Sequence, residues 1–257
     1  TRALQDEDVG PARIAEYVEY DPAVASTVLR VANSAAYGGW NRVDNIRDAV
    51  VRLGAARLLD IVLGDYLRRL KVSAPLYDLA EEDLWLHSAA ASLAVKALQR
   101  ERPRAGIPET ASIAALVHDI GKLVMVRFLK ADVKQVLAVR DEKNIAFVEA
   151  ERELFGCDHA QVGGEMARRW GFPEDITAAI EQHHSVPVPA PSPTVDAVII
   201  ANLAAKAIGT GLGAEGMDLR LDEHVHRRLK LDFAGFSRVC IQTVAWLKDL
   251  KASYGVK

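Results

Sequence analysis

A chain of 257 residues, 50% of them hydrophobic, can bury a core of its own without disulfides or metals, as one large domain or two small ones. Its formal charge of -3 and pI near 6.2 lack the basic excess by which nucleic-acid binders announce themselves, so no nucleic-acid partner is expected. Two cysteines, Cys157 and Cys240, without CxxC spacing, read as small apolar side chains of a reduced cytoplasmic protein. No apolar run approaches the ~20 residues a bilayer span needs, and the charged first residues lack a signal pattern, so no membrane association is expected. The chain starts without Met, which is compatible with a trimmed chain or with a piece of a longer protein.

Helical periodicity runs through the whole sequence. Asp21-Pro22 supplies an N-cap and a first-turn proline, Val24, Val28, Leu29 and Ala32 share a face, and Gly38-Gly39 ends the segment. A short helix from Ile46 to Leu53 stops at Gly54, and another follows from Ala55 to Leu70. Lys71 to Pro75 reads as a linker or an interhelix turn. Beyond it Leu84, His87, Ala91, Val95 and Leu98 lie three or four apart, which points the imidazole of His87 inward with the apolar stripe.

Pro103 to Pro108 is a loop, and Glu109 to Val117 forms a short buried helix that delivers His118-Asp119 at its end. A helix closes at Gly156, Asp158 caps the next with His159 in its first turn, and Gly171 stops that one. Pro173 opens a helix with Glu174 and Asp175 against its dipole and His183-His184 at its far end. Val186 to Pro193 alternates prolines and is an extended loop, and Thr194 is expected to cap the helix after it. A glycine-rich break from Gly209 to Gly213 precedes helices from Asp222 to Lys230 and from Ala234 to Tyr254. Strand alternation is essentially absent, so the expected fold is all-α, with a boundary near residue 75.

The chemistry concentrates on histidine. A metal that activates water wants neutral imidazole and carboxylate ligands, which His87, His118 and Asp119 provide from two helices. His159, His183 and His184 are placed to hold a second ion with Asp119 bridging, and Lys122 would then face a scissile phosphate as a point charge. The plainer alternative stands beside this. A histidine on an apolar face is ordinarily a hydrogen-bonded core residue, and histidines at helix C-termini can simply cap the last carbonyls. Mid-helix Asn33 and Ser34 read as polar anchors of a helix-to-turn transition, or as a junction between subdomains. Trp40, Trp85 and Trp170 read as core anchors.

Two sets of residues carry a resemblance. The first is Asp21-Pro22, the run Leu29-Arg30-Val31-Ala32-Asn33-Ser34-Ala35, Tyr37, Ile46, Ala49 and Leu53-Gly54. The second is Leu84-Trp85-Leu86-His87-Ser88, His118-Asp119-Ile120-Gly121-Lys122, Glu151, Phe155-Gly156-Cys157-Asp158-His159, Trp170-Gly171-Phe172-Pro173 and His183-His184. Together, over residues 10 to 210, the chain resembles the HDOD family, bacterial relatives of the HD and HD-GYP phosphohydrolases. The resemblance implies an all-helical HD-type bundle, residues 76–257, carrying an N-terminal helical subdomain, residues 1–75. It implies a signal-transduction module acting through a protein partner or a fused regulatory domain. It also implies one or two divalent ions (Fe, Mn or Zn) on His87, His118, Asp119, His159, His183 and His184.

Two departures bear on activity. Metal-active HD domains carry Ala-Asp on a late helix, where this chain has Ala201-Asn202, a neutral and weaker ligand. Asp196 lies six residues earlier and so faces nearly the opposite side of that helix. Ser185-Val186-Pro187 stands in place of the Gly-Tyr-Pro signature. The expectation is therefore a module without turnover, the alternative being a metal-dependent phosphohydrolase acting on a nucleotide or cyclic dinucleotide through Asp119 and Lys122.

Overall fold

The computed structural model describes residues 22–33, 43–70, 75–80, 82–129, 133–216 and 223–254. Among these the regular elements are helices only: α1 (Pro22–Ala32), α2 (Ile46–Leu70), α3 (Asp83–Glu101), α4 (Ala111–Val117), α5 (Ile120–Phe128) and α6 (Val133–Lys143). They continue with α7 (Phe147–Phe155), α8 (His159–Arg169), α9 (Glu174–Gln182), α10 (Pro193–Ala207), α11 (Glu223–Leu229) and α12 (Phe233–Tyr254). Single 3-10 turns stand at Pro75–Tyr77 and Gly213–Glu215.

Two helices buried on nearly every side organise the bundle. In α3 the run Ala89-Ala90-Ala91, with Ala94 and Ala97, leaves room for neighbouring backbones, and α10 repeats the device with Ala197, Ala201, Ala204 and Ala205. Such helices have no solvated face and are covered all round. α3 packs against α10, α12 and α4, and α10 also packs on α9 and α4. The main apolar core lies among these five helices, α3, α4, α9, α10 and α12. A second cluster joins α1 to α2, and a third lies under the Pro75–Tyr77 turn among α5, α6 and α7. Leu250 of α12 packs against both the first and the second cluster, which ties α1 and α2 to the bundle.

Local signals fare unevenly. Asp158 caps α8 as expected, accepting from the Gln161 N–H at 2.7 Å, while the Gln161 side chain accepts from the Asp158 N–H at 3.1 Å. Gly54 breaks α2 with φ 76°, at the stop expected there. Gly156 ends α7 in the left-handed region, φ 74°. The cap of α10 is Ser192, whose hydroxyl accepts from the Val195 N–H at 3.2 Å, so Thr194 is not the cap: Pro193 takes the first helical position and moves the start upstream. Trp170 is not a core anchor, being 42% exposed at the end of α8, whereas Trp85 is buried. Asn33 anchors the end of α1 as a polar bracket: its amide donates to Leu29 O at 2.9 Å and Val43 O at 2.7 Å and accepts from the Val43 N–H at 2.8 Å. The readings of Asp21, Ser34, Gly38-Gly39 and Trp40 lie outside the described residues. Cys157 and Cys240 are partly buried and unpaired. No helix of the described residues is long and apolar enough to cross a membrane.

Candidate metal centre

Five elements deliver the polar cluster. α3 carries His87, the α4–α5 corner carries His118 and Asp119, α5 carries Lys122, α8 opens with His159, and the end of α9 supplies His183 and His184. All six candidate ligands converge. Asp119 is the hub: its Oδ2 lies 3.6 Å from His87 Nε2 and 3.4 Å from His118 Nε2, and its Oδ1 lies 3.4 Å from His159 Nε2 and 3.5 Å from His183 Nε2. Two groups able to hold an ion result, one of His87, His118 and Asp119 and one of Asp119, His159, His183 and His184.

A glycine pair makes the convergence of α5 and α8 possible. A Cβ built on Gly121 would stand 1.9 Å from His159 O and 2.7 Å from Gly163 N, and one on Gly163 would stand 2.9 Å from Ile180 Cγ2. The helices therefore cross backbone to backbone, which carries Asp119 and His159 into reach of each other. On the opposite side Gly211, φ 59°, leaves no room for a Cβ, which would meet His87 Cβ at 2.5 Å. That turn also places Thr210 O 3.0 Å from His87 Nδ1.

Each inward-facing imidazole is oriented through its other nitrogen. His118 Nδ1 lies 2.7 Å from Ala115 O, His183 Nδ1 2.7 Å from Ile180 O, and His159 Nδ1 2.8 Å from Glu151 Oε2, whose Oε1 accepts from Tyr77 OH at 2.6 Å. These acceptors require Nδ1–H, which leaves each Nε2 lone pair directed at Asp119. Burial holds His87, His118 and His184 below the usual imidazole range. Burial also resists charge on His159, but the adjacent Glu151 outweighs it and lifts that imidazole. Burial opposes the Asp119 carboxylate too, yet His118 and Lys122 keep it well below the usual carboxylate range.

Lys122 is buried and committed to two carboxylates, 2.8 Å from Asp119 Oδ2 and 2.5 Å from Glu215 Oε1. The lysine that lines the adjacent cavity is Lys206, 2.9 Å from Glu215 Oε2. That cavity, about 420 Å³, opens onto His183, His184 and Asn202, with Arg152 at its wall. Asn202 Oδ1 lies 3.1 Å from His87 Nε2, where the position of the missing carboxylate was expected. Asp196 is turned away, as its spacing implied, and pairs with Arg228 at 2.6 and 2.7 Å.

Sequence reasoning missed Glu215 and Tyr77. Glu215 sits beside a run of glycines that read as punctuation, and a lone carboxylate there was the one available signal. Tyr77 had none, since its partner Glu151 is 74 residues away.

The residues fit a divalent ion. Asp119 Oδ1, His159 Nε2, His183 Nε2 and His184 Nε2 are buried without a hydrogen-bond partner. Donor atoms bound tetrahedrally at ~2.1 Å from one ion stand about 3.4 Å apart, the spacing found around Asp119.

Comparison with known proteins agrees with this architecture. The structure matches an HDOD domain protein of unknown function from Geobacter sulfurreducens with a TM-score of 0.72 at 25% identity, over 98% of this chain and 88% of that one. It matches a candidate signal transduction protein from Marinobacter aquaeolei VT8 with a TM-score of 0.73 at 23% identity, over 99% of this chain and 56% of that one. A candidate metal-dependent phosphohydrolase from Shewanella amazonensis SB2B follows with 0.64 at 20%, over 98% and 88%; these last two share the fold. In sequence the chain is 25% identical over 205 residues to an uncharacterized protein of Treponema pallidum (strain Nichols), 79% of this chain but 39% of that protein's length. The HDOD domain model matches residues 1–186, and the chain belongs to the HDOD family.

Proposed function

We propose that this chain is a regulatory module of bacterial signal transduction, working through protein contacts from a metal-bearing helical part (residues 76–257) and an N-terminal helical part (residues 1–75), without turnover. Asn202 carries this reading. Its neutral amide stands against His87 where a metal-active HD domain presents a carboxylate, so the His87 and His118 half of the cluster has no carboxylate beyond the shared Asp119 for a second ion. Two ions clamping both sides of a phosphoryl group are what hydrolysis of this kind uses. In that role Asp119 and the histidines around it would hold the metal, whose contribution when bound is Lewis acidity towards a phosphate or water, and Lys206 and Arg152 would orient an anion in the cavity.

The second reading, a phosphohydrolase acting on a nucleotide or cyclic dinucleotide, is favoured by one observation: the cavity reaches His183 and His184 and is lined by two cationic side chains. Incubation of Mn²⁺- or Fe²⁺-loaded protein with cyclic dinucleotides separates the two. No product above a metal-only control is expected. Robust turnover abolished by His118→Ala and Asp119→Ala would replace the first reading with the second.

A further inference from the structure

We propose that the chain holds a single divalent ion, on Asp119 Oδ1 among His159, His183 and His184, and that Lys122 and Asn202 close the His87 and His118 half to a second one. The inference rests on the metal-site reading above and specifies it.

Spacing does not choose between the halves. His87 Nε2 is 3.3 Å from His118 Nε2 and both lie within 3.6 Å of Asp119 Oδ2, which is as suitable for an ion as the other half. Hydrogen bonding does choose. On the Oδ2 side the Lys122 ammonium already donates to Asp119 at 2.8 Å and is anchored from behind by Glu215. The two ends of an amide are interchangeable in shape, so Asn202 turned about its last bond donates an N–H to the His87 Nε2 lone pair 3.1 Å away. That half leaves a single lone pair, on His118 Nε2 3.3 Å from His87 Nε2, without a protein donor.

The Oδ1 side has no such resource. Asp119 Oδ1 and the Nε2 atoms of His159, His183 and His184 are four buried atoms without a partner. On His159 and His183 Nδ1 is engaged by Glu151 Oε2 and by Ile180 O, so in the neutral rings the Nε2 lone pairs are turned towards Asp119 Oδ1. Left unmet, each such group bears its desolvation penalty uncompensated, and one cation meets all of them.

Formal charge points the same way. The buried set contains three carboxyl groups, Asp119, Glu151 and Glu215, and two ammonium groups, Lys122 and Lys206, an excess of one negative charge. One divalent ion brings the set to a single positive charge and two bring it to three, the second of them competing with Lys122 for the same carboxylate oxygen.

The test is metal stoichiometry and position. Protein stripped with chelator and titrated with Mn²⁺ is expected to bind about one ion per chain. His183→Ala or His159→Ala is expected to weaken binding by roughly 100-fold, and His87→Ala by less than about threefold. Anomalous scattering from Mn²⁺-soaked wild-type crystals, which needs no variant to fold, is expected to give one peak beside His159 and His183. Two ions per chain, or a peak between His87 and His118, overturns the one-ion assignment while leaving the metal site standing. Absence of any bound ion overturns both.

Discussion

Replacing Gly121 by alanine should be a severely damaging single-methyl change, and the structure sets its size. The added Cβ would stand 1.9 Å from His159 O, 2.9 Å from His159 C and 2.7 Å from Gly163 N, all backbone atoms that no rotamer change can move. Restoring ordinary contact at 3.4 Å requires α5 and α8 to part by about 1.5 Å at a buried crossing. Overpacking of this kind costs ~1–3 kcal/mol where side chains can yield, and here the upper end or more is expected. For a chain of this size ~3 kcal/mol lowers Tm by about 6–12 °C.

Gly156→Ala provides the internal scale. It has the same added methyl and φ 74°, but nothing within 4 Å of the new Cβ, so only the left-handed conformation is penalised, by ~1–2 kcal/mol. Calorimetric melting of both variants decides the matter. Because the parting helices carry Asp119 and His159, Mn²⁺ affinity should also fall for Gly121→Ala and be unchanged for Gly156→Ala. A Gly121→Ala protein that melts no lower than Gly156→Ala would show that the crossing is not backbone-tight and that this account of the motif glycine is wrong.

Three further outcomes are expected. Burial lifts the Asp60 carboxyl from 3.8 to about 6 against the pull of Arg57; its contribution to stability is thus intact below pH 3.8, declines as the unfolded chain ionises first, and is lost above pH 6, a swing of roughly 3 kcal/mol. Asp60→Asn should gain on the wild type between pH 4.5 and 7.5 in urea unfolding, and an equal ΔΔG at both pH values would contradict this. Arg228→Ala leaves the buried Asp196 carboxylate without its two-pronged partner and should cost ~2–4 kcal/mol, part of it returned by adding Asp196→Asn; a melting point within 2 °C of wild type would refute it. Asn33→Ala orphans the N–H and C=O of buried Val43 and should cost about 2 kcal/mol by denaturant titration, with Asn33→Asp restoring only the N–H acceptor.

What the sequence made legible was whatever repeats locally. Periods of three and four marked α1 and α3, and capping residues fixed the start of α8, because helix formation and capping are settled within a few residues. The segment from Ile120 to Phe155 is divided into α5, α6 and α7, and the sequence reading marked only its end, at Gly156. Here the breaks fall at residue 129 and between 144 and 146, with no glycine or proline to announce them. The misreading of Trp170 has a similar origin: an aromatic at a helix end faces inward or outward according to which neighbour arrives, and here it meets Phe172, with ring centroids 6.3 Å apart, and stays 42% exposed. The histidines were found because a motif named them. Their supports, Glu215 behind Lys122 and Tyr77 behind Glu151, come from turns brought in by tertiary packing and leave no spacing to read.

The two readings offered for each histidine turn out to describe different nitrogens of one ring. His118 and His183 do cap late carbonyls, Ala115 O and Ile180 O, as a purely structural histidine would. That bond consumes the Nδ1 proton and thereby fixes the tautomer that presents the Nε2 lone pair to Asp119. Capping is thus the means by which a helix end prepares a candidate ligand, and it explains why the candidate ligands cluster at the ends of α4 and α9 rather than mid-helix. A histidine in the middle of a helix has no free carbonyl on its own turn to hold Nδ1. His87, which is mid-helix in α3, has to borrow one, and Thr210 O from the glycine-built turn supplies it at 3.0 Å. The close seat of Gly211 against the His87 side chain is what brings that carbonyl into range, so the turn after α10 is as much a part of the centre as the motif residues are.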